Sequence, residues 1–119
     1  MSPQINQLDF KGQLFFIGID VHKQKWSVTI LDDERELQRF SMNPNPEELA
    51  RYLQRNYPGG RYKSAYEAGF SGFWIHRRLV ELGIDNIVVH AADIPTRQRE
   101  KNKKSDKIDS RKIARELRN

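Results

Sequence analysis

The segment Leu14 to Asp20, LFFIGID, is apolar or glycine at every position except the last. A run this short, with no polar residue on either side of the two-residue period, belongs to a strand buried on both faces in the middle of a sheet. A strand of that kind needs a packed layer on each side, so the rest of the chain must supply helices to cover the sheet. With 119 residues the chain is the size of one ordinary domain. Leu, Ile, Val and Phe make up 30 of them, above the roughly one-fifth below which chains tend to stay disordered. The run at Leu14 is also far short of the ~18 apolar residues that a membrane-spanning helix needs. Met1 to Phe10 is polar, so no secretory leader is expected. Cysteine is absent, which excludes disulfide scaffolds, thiol nucleophiles and cysteine zinc sites.

Around that central strand the pattern gives the remaining elements. Lys25 to Leu31 alternates, with Trp26, Val28 and Ile30 on one side, and Asp32-Asp33 signals a turn into a third, more polar strand over Glu34 to Ser41. Asn45 suits a helix N-cap, Pro46 its first turn, and Glu47 and Glu48 the positive end of the helix dipole. Leu49, Tyr52 and Leu53 form that helix's apolar stripe, and Pro58-Gly59-Gly60 ends it. Arg61 to Glu67 reads as a fourth strand, with Tyr62, Ser64 and Tyr66 on one side and Lys63, Ala65 and Glu67 on the other. A helix is expected from about Gly72 to Leu82, with Ile75, Leu79, Val80 and Leu82 inward and Gly83 as its C-terminal cap. Ile84 to His90 is a fifth strand, Arg97 to Lys104 a charged linker, and Ser105 or Asp106 opens a last helix carrying Ile108, Ile113, Ala114 and Leu117. An antiparallel meander followed by strand–helix alternation predicts an α/β domain with a mixed sheet and helices on its faces.

The net charge of +5 is unevenly placed. From Arg97 onward ten basic and four acidic residues give +6, so the first 96 residues carry −1. A nearly neutral body with a basic end reads either as a polyanion-binding edge or as a solvated helix. Lys101, Lys103, Lys104 and Lys107 lead into the last helix, and Arg111, Lys112, Arg115 and Arg118 cover its outer faces. Such groups would position a phosphate backbone without reading sequence.

Four acids stand out by position. Asp20 ends the most apolar strand, at the rim where open sheets tend to place ligands. Glu67 ends the fourth strand before a glycine turn. Asp106 and Asp109 are three apart, so on a helix they share a face. Converging carboxylates are costly unless a cation neutralises them, and oxygen donors suit Mg²⁺ or Mn²⁺. Structural roles fit as well: Asp20 as a turn cap, Glu67 paired with Arg61 or Lys63, and Asp106 as a helix N-cap with Asp109 favouring the dipole. His22, His76 and His90 are scattered and form no rival site.

FIGIDVHKQKW around Asp20, YEAGFSGFWIHRRLVELGIDNIVV from Tyr66 to Val89, and KKSDKIDSRKIAREL from Lys103 to Leu117 together resemble the N-terminal domain of the DEDD insertion-sequence transposases, the IS-one-ten family, whose fold is RuvC-like within the ribonuclease H superfamily. The resemblance implies a five-stranded sheet in the order 3-2-1-4-5, with the second strand antiparallel. It implies that Asp20, Glu67, Asp106 and Asp109 are the catalytic acids and bind divalent metal, Mg²⁺ or Mn²⁺. It also implies that DNA, at junction-like or RNA-guided intermediates, is the partner. By that reading residues 1–12 are a polar tail and 13–119 an incomplete RuvC-like domain. The C-terminal transposase domain and its strand-exchange serine would be missing, homo-oligomers are allowed, and the setting is the cytoplasm of a bacterial or archaeal cell. Ala91-Ala92 departs from the Asn-Pro often found in the family.

Two other readings have their own signatures. Actin-like sugar kinases also begin with a G-I-D strand, but their following turn supplies glycine and Ser or Thr for phosphate, whereas Val21-His22-Lys23 follows Asp20 here. A non-catalytic nucleic-acid-binding module would keep the basic end without using the acids. Phe73 and Trp74, after the glycine turn, suit either core packing or stacking on an unpaired base, with core packing the preferred expectation, and Trp26 is expected in the core.

Overall fold

The computed structural model describes residues 9–69, 72–90 and 109–119. Five strands, β1 (Leu14–Val21), β2 (Trp26–Leu31), β3 (Glu36–Met42), β4 (Arg61–Glu67) and β5 (Asp85–Val89), form one sheet in the order β3-β2-β1-β4-β5. β2 is antiparallel to both β1 and β3, while β4 runs parallel to β1 and to β5. This is the sheet order that the RuvC-like resemblance implies. Helices α1 (Pro46–Asn56) and α2 (Trp74–Glu81) cover one face, and α3 (Ser110–Arg118) covers the other.

The two-sided burial read from LFFIGID follows from β1's central place. Phe15, Ile17 and Ile19 face α1 and α2, packed with Trp26, Val28 and Ile30 of β2, Tyr62 and Tyr66 of β4, and Leu49, Leu53, Ile75 and Leu79 of the helices. Phe16 faces the opposite way, with Leu31, Ala114 and Leu117. Ala65 packs there against Ile113 and Val89.

Local chemistry sets the ends of the elements. The Asn45 side chain accepts from the Glu47 and Glu48 N–H groups, with Pro46 opening α1 as expected. Arg78 of α2 donates to Glu47 at 2.5 Å and to Glu81 at 2.9 Å, tying α2 to α1. The Asp32 carboxylate accepts from the Glu34 and Arg35 N–H groups, closing the β2–β3 turn. The buried Tyr66 hydroxyl donates to the Gly72 carbonyl (2.8 Å) and accepts from the His76 N–H (3.1 Å), which pins the segment after β4 to the start of α2. Ser64, Asn86 and His76 form a second polar chain.

Three expectations are corrected. α2 begins at Trp74, two residues later than the pattern implied, and of its first turn Ile75 is buried while Trp74 faces solvent. Phe73 and Trp74 are therefore 55% and 47% exposed and do not enter the core. Val80 lies on the outer side of α2 and is 49% exposed. The last helix starts at Ser110, because Asp109 has extended backbone (φ −90°, ψ 175°) and its carboxylate caps the Lys112 N–H. Asp109 is therefore the cap of the helix and lies on none of its faces; Asp106, Ile108 and the segment 97–104 lie outside the described residues.

Candidate functional site

The register of the sheet places the candidate acids. On the α3 side, Gly18 sits between Ala65 of β4 and Thr29 of β2, and Thr29 pairs with Arg39 of β3. The next row towards the ends of β1 and β4 contains Asp20, Ser27 and Ser41 in successive strands. Glu67 follows Tyr66, the partner of Ile19, so the parallel register brings it beside Asp20. Alternation from Gly18 and Ala65 puts both acids on the α3 side, at the adjacent ends of two parallel strands.

Gly18 decides how closely α3 can approach. A Cβ there would lie 2.1 Å from the Ser110 carbonyl oxygen and 2.5 Å from the Ala114 nitrogen. The helix backbone lies directly on the strand, and only glycine permits it. The contact is completed by a buried hydrogen bond of 2.7 Å between the Thr29 and Ser110 hydroxyls. α3 thus covers the Gly18 row and leaves the Asp20 row open past its N-terminus. There Asp20, Ser27, Arg39, Ser41, Asp109 and Ser110 line a recess of about 300 Å³.

Asp20 is only 16% exposed at its side chain, and its Oδ1 lies 3.2 Å from the His22 Nε2. The Asp109 carboxylate sits at the rim of the same recess and accepts from the Lys112 N–H at 3.0 Å. Among the described residues, no three Asp, Glu or His side chains come together closely enough to enclose an ion. The structure therefore brings Asp20 beside Glu67 by register and Asp20 to Asp109 by the recess, without drawing all three into one cluster.

The expected basic residues divide. Lys101, Lys103, Lys104 and Lys107 lie outside the described residues. Arg111 does not point freely outward; it pairs with Glu36 of β3 at 3.3 Å. Arg118 reaches the Asp32 carbonyl at 3.4 Å. Arg115 is exposed and Lys112 half-buried. Sequence reasoning missed Ser27, Arg39, Ser41 and the His22 contact. Alternation along an antiparallel meander, counted from Asp20, carries the signal for the first three.

Residues 17–119 match the profile of the DEDD transposases of the IS110 type, described as transposase. The chain belongs to this transposase family. It is 33% identical over 113 residues to the transposase y4rJ of Sinorhizobium fredii, covering 86% of this chain and 28% of that protein. It is 28% identical over 106 residues to the transposase for insertion sequence element IS1533 of Leptospira borgpetersenii, covering 87% of this chain and 30% of that one. The transposase domain seen here thus spans under a third of the length of these relatives. A solved ROK hexokinase from Thermus thermophilus superposes with a TM-score of 0.47 at 18% identity, over 67% of this chain and 36% of its own, too slight a likeness to bear on function. Among the described residues no helix is long and apolar enough to cross a membrane.

Proposed function

We propose that this transposase domain binds DNA and holds a divalent cation, Mg²⁺ or Mn²⁺, at its acidic rim for strand cleavage and transfer in transposition. The observation that carries the reading is the parallel register of β1 and β4, which sets Asp20 and Glu67 side by side on the α3 face. Two adjacent carboxylates, one of them largely buried, concentrate negative charge that a bound cation offsets, and a donor set of carboxylate oxygens suits a hard divalent ion. In this reading Asp20 and Glu67 are the principal ligands, and Asp106 and Asp109 supply the remainder from the last helix and the segment before it. When bound, the ion would stabilise the charge that develops on the phosphate oxygens. The Lys and Arg groups from Lys101 onward, with Arg111, Lys112 and Arg115, hold the strand's phosphates against that rim.

A second reading, binding of DNA without an ion, is favoured by Asp109, whose carboxylate already serves as the N-cap of α3. Thermal melting with Mn²⁺ separates the two. An ion present at a hundred times its dissociation constant stabilises a folded protein by about 2.7 kcal/mol, and Asp20→Asn should abolish that gain while leaving melting without Mn²⁺ nearly unchanged. Equal Mn²⁺ stabilisation of both proteins places the ion elsewhere, and none in either supports the binding module. For DNA, replacing Lys101, Lys103 and Lys104 by Ala should flatten the salt dependence of duplex affinity, about −0.9 in log–log slope for each phosphate neutralised.

A further inference from the structure

The recess beside Asp20 has one end that the acidic rim does not use. Its Asp20 end carries the carboxylates. Its far end, on the edge strand β3, carries Arg39 and Ser41, with Ser27 between them and Asp20. We propose that this far end is a phosphodiester subsite, which holds the backbone of a single DNA strand next to the position engaged at Asp20. The proposal rests on the reading that DNA is bound at the Asp20 rim.

Three observations carry it. The first is placement. Asp20, Ser27 and Ser41 occupy one row across three neighbouring strands, so Ser41 stands two strand spacings, about 10 Å, from Asp20. The phosphates neighbouring the one held at Asp20 fall within that reach, since a strand in duplex geometry advances about 3.4 Å per nucleotide and an extended single strand about twice that. The second is chemistry. Two hydroxyl donors and a guanidinium fork are the side chains that recognise phosphate oxygens, and the fork can engage two of them at once. The third is charge. The ion pairs that the geometry shows are formed by other groups, so among the described residues no carboxylate takes up the Arg39 charge. Arg39 is one row removed from Asp20 and two strands away, which keeps a phosphate at its fork apart from the Asp20 carboxylate. α3 closes the other wall, because Gly18 lets Ser110 descend onto Thr29.

The test is a fluorescence-anisotropy titration of a labelled oligothymidylate over a range of salt, in chelator, so that no divalent ion takes part. Arg39→Ala should weaken low-salt affinity about tenfold, the loss of one charge-assisted contact. It should also flatten the log–log salt slope by about 0.7, the single-strand increment for one phosphate. Arg39→Lys should restore the slope but only part of the affinity, because a point charge replaces the fork. Ser27→Ala combined with Ser41→Ala should lower affinity with no change in slope. Arg51→Ala is the control: Arg51 is exposed on α1, across the sheet from the recess, and its loss removes the same charge. Arg39 is exposed on an edge strand, and unchanged melting of the variants will verify their folding. Equal effects of Arg39→Ala and Arg51→Ala, or no effect of Arg39→Ala, overturn the subsite. The Mn²⁺ melting of Asp20→Asn fails or succeeds separately, so loss of the metal reading and loss of the subsite are distinguishable.

Discussion

Gly18→Ala should detach α3 from the sheet. The added Cβ would stand 2.1 Å from the Ser110 oxygen and 2.5 Å from the Ala114 nitrogen, both backbone atoms. Ordinary contact begins at 3.4 Å, so the helix must retreat by roughly 1.3 Å, well beyond what a packed interface absorbs. Overpacking of this kind costs about 1–3 kcal/mol. Retreat also breaks the buried Thr29–Ser110 hydrogen bond, worth about 1 kcal/mol, and loosens Ile113, which is 2% exposed. A total of about 2–4 kcal/mol follows, a large part of the stability of a small domain. Urea denaturation measures it, and hydrogen exchange of the α3 amides shows whether the helix has come away. Thr29→Val should cost about 1–2 kcal/mol by leaving the Ser110 hydroxyl unpaired, which apportions the loss. Gly69→Ala is the control, since a Cβ there meets nothing within 4 Å; it should change stability by under about 1 kcal/mol. A Gly18→Ala protein within about 0.5 kcal/mol of the parent, with α3 protection intact, would refute the close-approach argument.

Two further outcomes follow from the packing and the charges. Trp26, fully buried, should cost about 3–5 kcal/mol on truncation to Ala, whereas Trp74→Ala, at a half-exposed position, should cost under about 1 kcal/mol; equal losses in urea melts would return Trp74 to the core. Glu47 is held below its ordinary value of 4.5, first by the Arg78 hydrogen bond and then by its own backbone N–H. The folded protein therefore releases this proton more readily than the unfolded chain. The contribution is present above pH 4.5 and is lost as pH falls through the lowered folded value. Glu47→Gln should remove that part of the acid limb, read as a smaller drop in melting temperature between about pH 6 and pH 3.

Much of the architecture was legible because it depends on local pattern. LFFIGID could only be a central strand, since no face of it tolerates water. Asn45-Pro46 opened α1 where the cap chemistry placed it, and the strand order was implied by the transposase resemblance. Where the reading missed, nonlocal geometry or competing local bonds had decided. The apolar character of Phe73, Trp74 and Val80 pointed inward, but α2 starts late and buries only its Ile75–Leu79 side. The spacing of Asp106 and Asp109 implied a shared helix face, but Asp109 has extended backbone and caps the Lys112 N–H from outside the helix.

Sequence by itself determined the identity of the strands, the two-sided burial of β1, and the presence of Asp20 and Glu67 at strand ends, because period and hydropathy are properties of neighbouring residues. Only the tertiary structure decided that Asp20, Ser27 and Ser41 form one row, that Arg39 stands beside it, and that a helix 92 positions beyond Gly18 rests its backbone on that glycine. Register joins residues far apart in the chain, and close approach depends on an atom that glycine lacks; neither is a property of any short stretch of sequence.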